Sequence, residues 1–488
     1  MKKKFELYRS IRICLAAVSF VLLTGAVWFL PGTEELFGWQ FGSGFLKLFA
    51  DWTLGATAAV LSILILTLLL GRVYCSVLCP LGILQDLMSV FRRPYRFLRE
   101  TRTVKYSVFF LLTGLAAAGF LLPLSLLLPS SNFVLIVNQV FRETAAKASV
   151  WLSLSAGPVS MKPAVAAMLF SWALFLGLLL LVRWRGRIYC NWLCPVGTLL
   201  GFVSRFARFR IMVSEGCVSC GACEKVCPAS CIDSKNKIVR TEDCVMCMNC
   251  IGKCPIGGLK LRRTVSDKPD ALVPARREFL LAGGTLLGGA LLGKAAVPGM
   301  EKPSAAVMPP GAGSYERFGA RCVGCGLCVG ACRGRVLSHS VTQYGMRGFL
   351  QPYLDFNKGA CQFDCRRCME VCPVGALRLL PMEEKKRWRI GLVTYVKERC
   401  VAYREDIDCG ACAEHCPVGA LDMVPYKNTL IPKVNEALCI GCGACQNICP
   451  VRPLQAVVVS GVSPQVSAMK KVSVEKPAAL EAEKDFPF

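Results

Sequence analysis

Apolar and polar positions divide this chain near residue 208. Before that point, four apolar runs lie at about residues 11–30, 53–71, 107–128 and 163–182. Each is close to the ~20 residues an α-helix needs to cross the hydrocarbon core of a bilayer. The pattern predicts four transmembrane helices. Beyond residue 209 only one apolar run recurs, FLLAGGTLLGGALLG from 279 to 293. At about 15 residues it is short for a permanent span and serves as a possible fifth segment or an anchor. The rest of the second half alternates short polar stretches with closely spaced cysteines, which predicts small α+β units around metal clusters. The fold class is therefore multi-domain: an α-helical membrane part plus ferredoxin-like α+β iron–sulfur domains.

An internal repeat organises the membrane part. GRVYCSVLCPLGILQDLMSVFRR, residues 71–93, matches GRIYCNWLCPVGTLLGFVSRFAR, residues 186–208, at 12 of 23 positions with a constant offset of 115. The first 208 residues thus read as two duplicated helix pairs, each carrying one CxxxCP motif. A compact cysteine-rich module follows at 209–262. A connector at 263–313 holds the short apolar run and a linker rich in Pro, Ala and Gly. A second cysteine-rich domain occupies 314–458, and 459–488, without apolar periodicity, is expected to be a disordered tail.

Basic residues orient the first half. MKKKFELYRS carries four and the 72–106 connection seven, whereas the 31–52 loop has one and the 129–162 loop three. Positive charge is retained on the cytoplasmic side, so the N-terminus is expected inside, and four spans return the chain inside for the 209–262 module. After it comes ARREFLLAGG, residues 275–284. This matches the twin-arginine core RRxFL ahead of a weakly apolar, Gly-rich stretch. A fifth helix with ordinary basic flanks is the other reading. Both send the C-terminal domain outward, to the periplasmic face of a bacterial inner membrane.

Composition agrees and excludes several functions. The chain is 54% hydrophobic with a mean hydropathy of +0.46, too apolar for an ordinary soluble protein. The formal charge of +25 counts every thiol as neutral. Six cubanes at about −2 each would lower it to roughly +13. No basic stripe stands apart from membrane flanks and cysteine motifs, so nucleic acid is not an expected partner. Only His339 and His415 occur, and no CxxCH, which excludes covalent haem and a bis-histidine haem in the bilayer.

Of 30 cysteines, 24 fall into six sets of four. Cys217, Cys220, Cys223 and Cys227 form a CxxCxxCxxxCP motif, repeated by Cys244, Cys247, Cys250 and Cys254. In such a pattern three thiolates reach different irons of one 4Fe-4S cubane and the fourth serves the neighbouring cluster. Cys254 is therefore expected to complete the first cluster and Cys227 the second. Zinc would use two CxxC hooks and would not need two complete octets. The C-terminal domain varies the theme with Cys322, Cys325, Cys328, Cys332; Cys361, Cys365, Cys368, Cys372; Cys400, Cys409, Cys412, Cys416; and Cys439, Cys442, Cys445, Cys449. Adjacent and nested pairings of these four sets are both open. Six 4Fe-4S clusters are expected, with the cysteines as iron ligands. Cys75 with Cys79, and Cys190 with Cys194, are additional redox or metal candidates: at i and i+4 each pair would share one helix face. They could equally be small buried residues beside a helix-ending proline. Cys14 and Cys231 read as structural.

These motifs resemble known families. The first 265 residues are similar to the membrane polyferredoxins of the NapH, NosR and CcoG type. From RRxFL onward the chain resembles NapG, an exported four-cluster ferredoxin, so the whole looks like a NapH–NapG fusion. The resemblance implies an electron carrier between the quinol pool and a periplasmic redox partner. The NosR and CcoG likeness also permits an assembly or regulatory factor for a respiratory metalloenzyme. No acid, base or nucleophile constellation marks a catalyst of another kind. With clusters expected on both sides of roughly 30 Å of hydrocarbon, a quinone or an unseen centre must bridge them.

Overall fold

A computed structural model describes residues 2–28, 36–50, 53–91, 94–95, 97, 102–151, 165–263, 276–295, 306–345 and 348–469. The linker segments 264–275 and 296–305 and the end of the tail, 470–488, lie outside them.

The N-terminal part is helical. Two helices, Lys2–Val27 and Val165–Arg185, include stretches long and apolar enough to cross a membrane. Leu54–Leu70 and Arg102–Ala117 are apolar but shorter, at 17 and 16 residues. The run expected at 107–128 is not one helix. Gly119 takes a φ of +86°, and a separate turn, Leu122–Leu126, starts with a proline in its first positions. A left-handed residue breaks the α ladder, and Pro123 has no N–H with which to extend it. Conversely, residues 129–151 of the expected 129–162 loop are helical: Pro129–Ile136, a wider π-turn at Val137–Phe141, and Arg142–Trp151.

Arg276–Ala295 is a 20-residue helix packed along Arg102–Ala117. The two backbones nearly touch. A Cβ on Gly114 would stand 2.3 Å from the Leu286 carbonyl, and one on Gly289 would stand 2.6 Å from that of Leu111. Small residues at such a crossing are how apolar helices pack closely where water offers no drive.

The 209–263 module is a small α+β unit. β1 (Phe209–Val213) pairs antiparallel with β4 (Leu259–Arg263), and the two-residue strands β2 (Ile232–Asp233) and β3 (Ile238–Val239) pair beneath. Ion pairs fasten it to the helices: Lys105 Nζ lies 3.0 Å from Asp243 Oδ1, and Arg205 pairs with Glu242 at 2.6 Å.

The C-terminal domain contains three antiparallel pairs: β5 (Leu337–His339) with β6 (Pro352–Leu354), β7 (Trp388–Tyr395) with β10 (Val457–Ser467), and β8 (Leu421–Tyr426) with β9 (Thr429–Val434). It is longer at both ends than the sequence suggests. Val307 bridges Leu354, and Met308 and Ala312 are fully buried, so the unit begins within the expected linker. β10 runs on to Ser467, inside the expected tail. The Gln465 side chain joins these extensions: its Oε1 accepts from Gly313 N and Trp388 Nε1, at 3.2 and 2.9 Å, and its Nε2 donates to Pro309 O at 3.0 Å.

The two cysteine-rich units meet opposite ends of one helix. At the start of Val165–Arg185, Phe170 packs edge-on against Phe349 with ring centroids 5.8 Å apart, and Ala167 is buried with Leu135 and Leu350. Arg142 Nη2 donates to Gly330 O at 3.2 Å at this same face. Just beyond the other end, Arg187 N donates to Pro228 O at 2.8 Å. The helix's 21 residues, at 1.5 Å each, span about 30 Å.

Candidate metal centres

The four loops with CxxCxxC spacing must turn three thiols inward within seven residues, and left-handed residues make that turn. Ser219 and Gly221 in the first loop have φ of 53° and 74°, and Met246 and Met248 in the second 52° and 62°. Gly324 with Gly326, and Gly441 with Gly443, repeat the pattern in the C-terminal domain. The Cys361 and Cys400 loops, with their altered spacings, have no positive-φ residue between their second and third cysteines.

The loops open onto small cavities lined by sulfur and apolar side chains. Cys217, Cys220, Cys223 and Cys254 line one with about 390 Å³ of empty space. Cys227, Cys244, Cys247 and Cys250 line a second of about 310 Å³, so the fourth cysteine of each motif faces the other motif's cavity. Cys231 lines the second cavity as well, its Sγ 3.5 Å from that of Cys227. Nothing in its spacing distinguishes it from a packing residue.

The C-terminal sets pair with their neighbours. Cys439, Cys442 and Cys445 share a cavity of about 320 Å³ with Cys416. Cys400 and Cys449 are buried in one cluster with Cys409 packed on it, and Cys412 feels the charge of Cys409 and Cys400. Cys322, Cys325 and Cys328 each interact with Cys372. Cys361 and Cys368 interact with Cys332 and Cys365. Among the described residues these contacts join adjacent sets, not nested ones.

These surroundings fit a cubane. The donors are all sulfur, and backbone N–H groups already point at several of them: Gly258 N lies 3.1 Å from Cys254 Sγ, Ala420 N 3.2 Å from Cys416 Sγ, and Leu377 N 3.5 Å from Cys372 Sγ. Among the described residues no group of three or more His, Cys, Asp or Glu side chains is close enough to share one ion. A cubane gives each thiolate its own iron. Burial pushes the Cys223 and Cys361 thiols up to about 11, and those of Cys247 and Cys325 up to about 12. Left alone these sulfurs stay protonated at neutral pH, so iron must displace the protons as it binds.

The CxxxCP pairs differ from expectation in local geometry. Cys75 sits in the short helical turn Tyr74–Val77, but Cys79 lies outside it with extended backbone and caps the next helix, Pro80–Met88. Cys190 and Cys194 repeat this around Pro195–Ser204. The two cysteines of a pair therefore do not share one helix face. The proline forces the break, since it disfavours helical backbone in the residue before it and starts a new helix well. All four thiols are buried in one core. Arg72 and Arg187, identical in the two copies, are buried beside them. The repeat itself was the signal for these arginines.

Three family models match the chain. A 4Fe-4S binding domain covers residues 52–97 and 165–213, the two copies of the repeat. A second 4Fe-4S binding domain covers 214–230, and a 4Fe-4S dicluster domain covers 321–376 and 407–452. The chain thus carries several ferredoxin-type domains built to bind multiple 4Fe-4S clusters. Its relatives are distant. The methylamine utilization ferredoxin-type protein MauN of Paracoccus denitrificans is 29% identical over 188 residues, 37% of this chain and 57% of that protein. An uncharacterised protein of Methanocaldococcus jannaschii is 27% identical over 225 residues, 46% of this chain and 83% of its own length. YccM of Escherichia coli, provisionally named an electron transport protein, is 28% identical over 199 residues, 38% of this chain and 49% of that protein. The chain thus spans little more than half of the first of these relatives. No solved structure matches it.

Proposed function

We propose that this chain carries electrons across a bacterial cytoplasmic membrane, between the quinol pool or a cytoplasmic donor and a redox protein on the outer side, in the manner of the NapH–NapG arrangement it resembles. The observation that carries this reading is the helix Val165–Arg185, whose opposite ends contact the two cysteine-rich units. If that helix spans the bilayer, the 209–263 module and the C-terminal domain stand on opposite sides. Lys2–Val27, Leu54–Leu70 and Arg102–Ala117 are the other spans, and Arg276–Ala295, packed along Arg102–Ala117, takes the chain back across as a fifth.

Six clusters are assigned to the six sets, with the fourth cysteine of each set exchanged with its neighbour. A 4Fe-4S cluster supplies a one-electron store at each. The protein's part is to hold them in series and set their surroundings. In the C-terminal domain the Cys322 set lies nearest the helices: Gly326 is packed beneath the His339 ring, whose Nε2 is 3.3 Å from Gln139 Nε2. Cys361 N donates to Cys442 O at 2.9 Å, joining the second set to the one completed by Cys416. The Cys400 set completes the series beside exposed Ile407, which supports partner docking there.

Anaerobic purification of the full chain tests the assignment. At least about 24 iron atoms per chain are expected, and fewer than about 16 after reconstitution would overturn it.

A further inference from the structure

The duplicated cysteine pairs converge on one point. Each copy of the repeat supplies an arginine that completes the other. Arg72 Nη2 donates to the Cys190 carbonyl at 3.1 Å and its Nη1 to Asn191 Oδ1 at 2.8 Å. Arg187 Nη1 donates to the Cys75 carbonyl at 2.8 Å and its Nη2 to Gly82 O at 3.0 Å. Gly82 and Gly197 hold equivalent places, where a Cβ would stand 2.2 Å from Cys75 O and 2.0 Å from Cys190 O. This pseudo-two-fold exchange gathers the four thiols, each no more than 5% exposed. Cys79 feels Cys75 and Cys190, and Cys194 feels Cys190, Cys79 and Cys75.

The charges around them are unbalanced. Arg187 has Asp86 at 2.7 Å. Arg72 is wholly buried, and its acceptors are the Cys190 and Glu242 carbonyls, Asn191 Oδ1 and, at 3.9 Å, Cys75 Sγ. None is a carboxylate, and its Nε has no partner at all. A buried guanidinium among neutral acceptors is costly unless negative charge stands beside it. The sulfurs of Cys75 and Cys190, with Asp243 farther off, are the groups that can supply it.

We infer that Cys75, Cys79, Cys190 and Cys194 are the ligands of a seventh iron–sulfur cluster, shared between the two repeat copies, with Arg72 and Arg187 as positioning residues. Each stretch matched by the first 4Fe-4S model holds just two cysteines, so neither copy alone completes a four-cysteine set. The site lies against the second cavity: Asn191 Nδ2 donates to Ala229 O at 3.1 Å, Arg187 feels Cys247, and Met246 packs on Gly71. It stands between that cavity and the apolar helices, where the sequence shows no cofactor. The inference is independent of which way the chain faces in the membrane.

The test compares iron, acid-labile sulfide and low-temperature EPR of the anaerobically purified full chain with those of Cys79→Ser/Cys194→Ser and Cys75→Ala/Cys190→Ala. Cys14→Ser serves as the control. Both double variants should lose about 2–4 iron atoms per chain, according to cluster nuclearity, with matching sulfide and one EPR component. The iron that remains reports on the other six sets, so failure there is read separately. Arg72→Lys, which keeps the thiols and the charge, should retain the iron but shift that same component, which guards against misfolding of the cysteine variants. Unchanged iron and sulfide in both double variants would overturn the inference. So would a Cys75–Cys79 or Cys190–Cys194 disulfide in the native protein, or loss of one zinc or copper ion without sulfide.

Discussion

Cys227 belongs to the first motif by sequence and to the second cavity by position. Cys227→Ser should therefore perturb the cluster of Cys244, Cys247 and Cys250 and spare that of Cys217, Cys220 and Cys223, as resolved by EPR of the reduced protein. Its neighbour Cys231 makes a second residue-scale prediction. The hydrogen bond between them holds Cys227 below the usual thiol range and Cys231 well above it; with Cys227 bound to iron as a thiolate, Cys231 would be the S–H donor. Hydrogen bonds to cluster sulfur help set reduction potential and favour the more negative, reduced state. Cys231→Ala should leave the iron content intact and lower the midpoint potential of that one cluster in a redox titration. Lost iron would make Cys231 a ligand. The motif's spacing alone predicts the crossing of Cys227 and Cys254, and each of the two lines the other motif's cavity. The role of Cys231 was not legible in the sequence, because the turn through Ser230, with φ of 50°, is what brings its sulfur back to the cavity.

Among the elements, the contact between Arg102–Ala117 and Arg276–Ala295 is the most exacting. Gly289→Leu would drive a side chain into the backbone at Leu111 and Leu115. Overpacking of this kind costs about 1–3 kcal/mol, and thermal melts in detergent should show that loss while Gly288→Leu, with nothing within 4 Å of its Cβ, changes little. Periodicity exposed the apolar runs but not their ends. Gly119 divides the third run, and the helix from Pro129 is held by burial of nearly every residue to Ile136, not by an amphipathic pattern. β10 escaped notice for a related reason: VVVSGVSPQVS alternates poorly, and its partner β7 lies some sixty residues earlier. The pairing of the C-terminal cluster sets was likewise a property of tertiary contact, beyond the reach of spacing.

For the whole molecule, sidedness is the central prediction. Protease applied to spheroplasts should remove the C-terminal domain and spare residues 209–263, and Arg276→Lys/Arg277→Lys should strand the second half inside. Protection of both units would show a wholly cytoplasmic protein. Docking of the C-terminal unit should also respond to pH. His339 is buried at the contact with Gln139, and burial, reinforced by Lys358 and opposed by the Leu350 carbonyl, holds it below its ordinary value near 6.5. Below about pH 6.5 the unfolded chain binds a proton that the folded one resists, so stability falls as pH drops through that window. His339→Gln should flatten this part of the pH profile of thermal unfolding.

The helix Val165–Arg185 touches one cysteine-rich unit at Ala167 and Phe170 and leads directly to the other at Arg187. It is therefore a ruler and a protractor at once. One added residue would rotate its two ends by about 100° relative to each other, so that only one unit could keep its seat. Seven added residues make nearly two whole turns, returning the ends to within about 20° of phase while moving them about 10 Å apart. Insertions into the middle of this helix should accordingly be tolerated with a period of seven, and a one-residue insertion should release one unit or the other to protease.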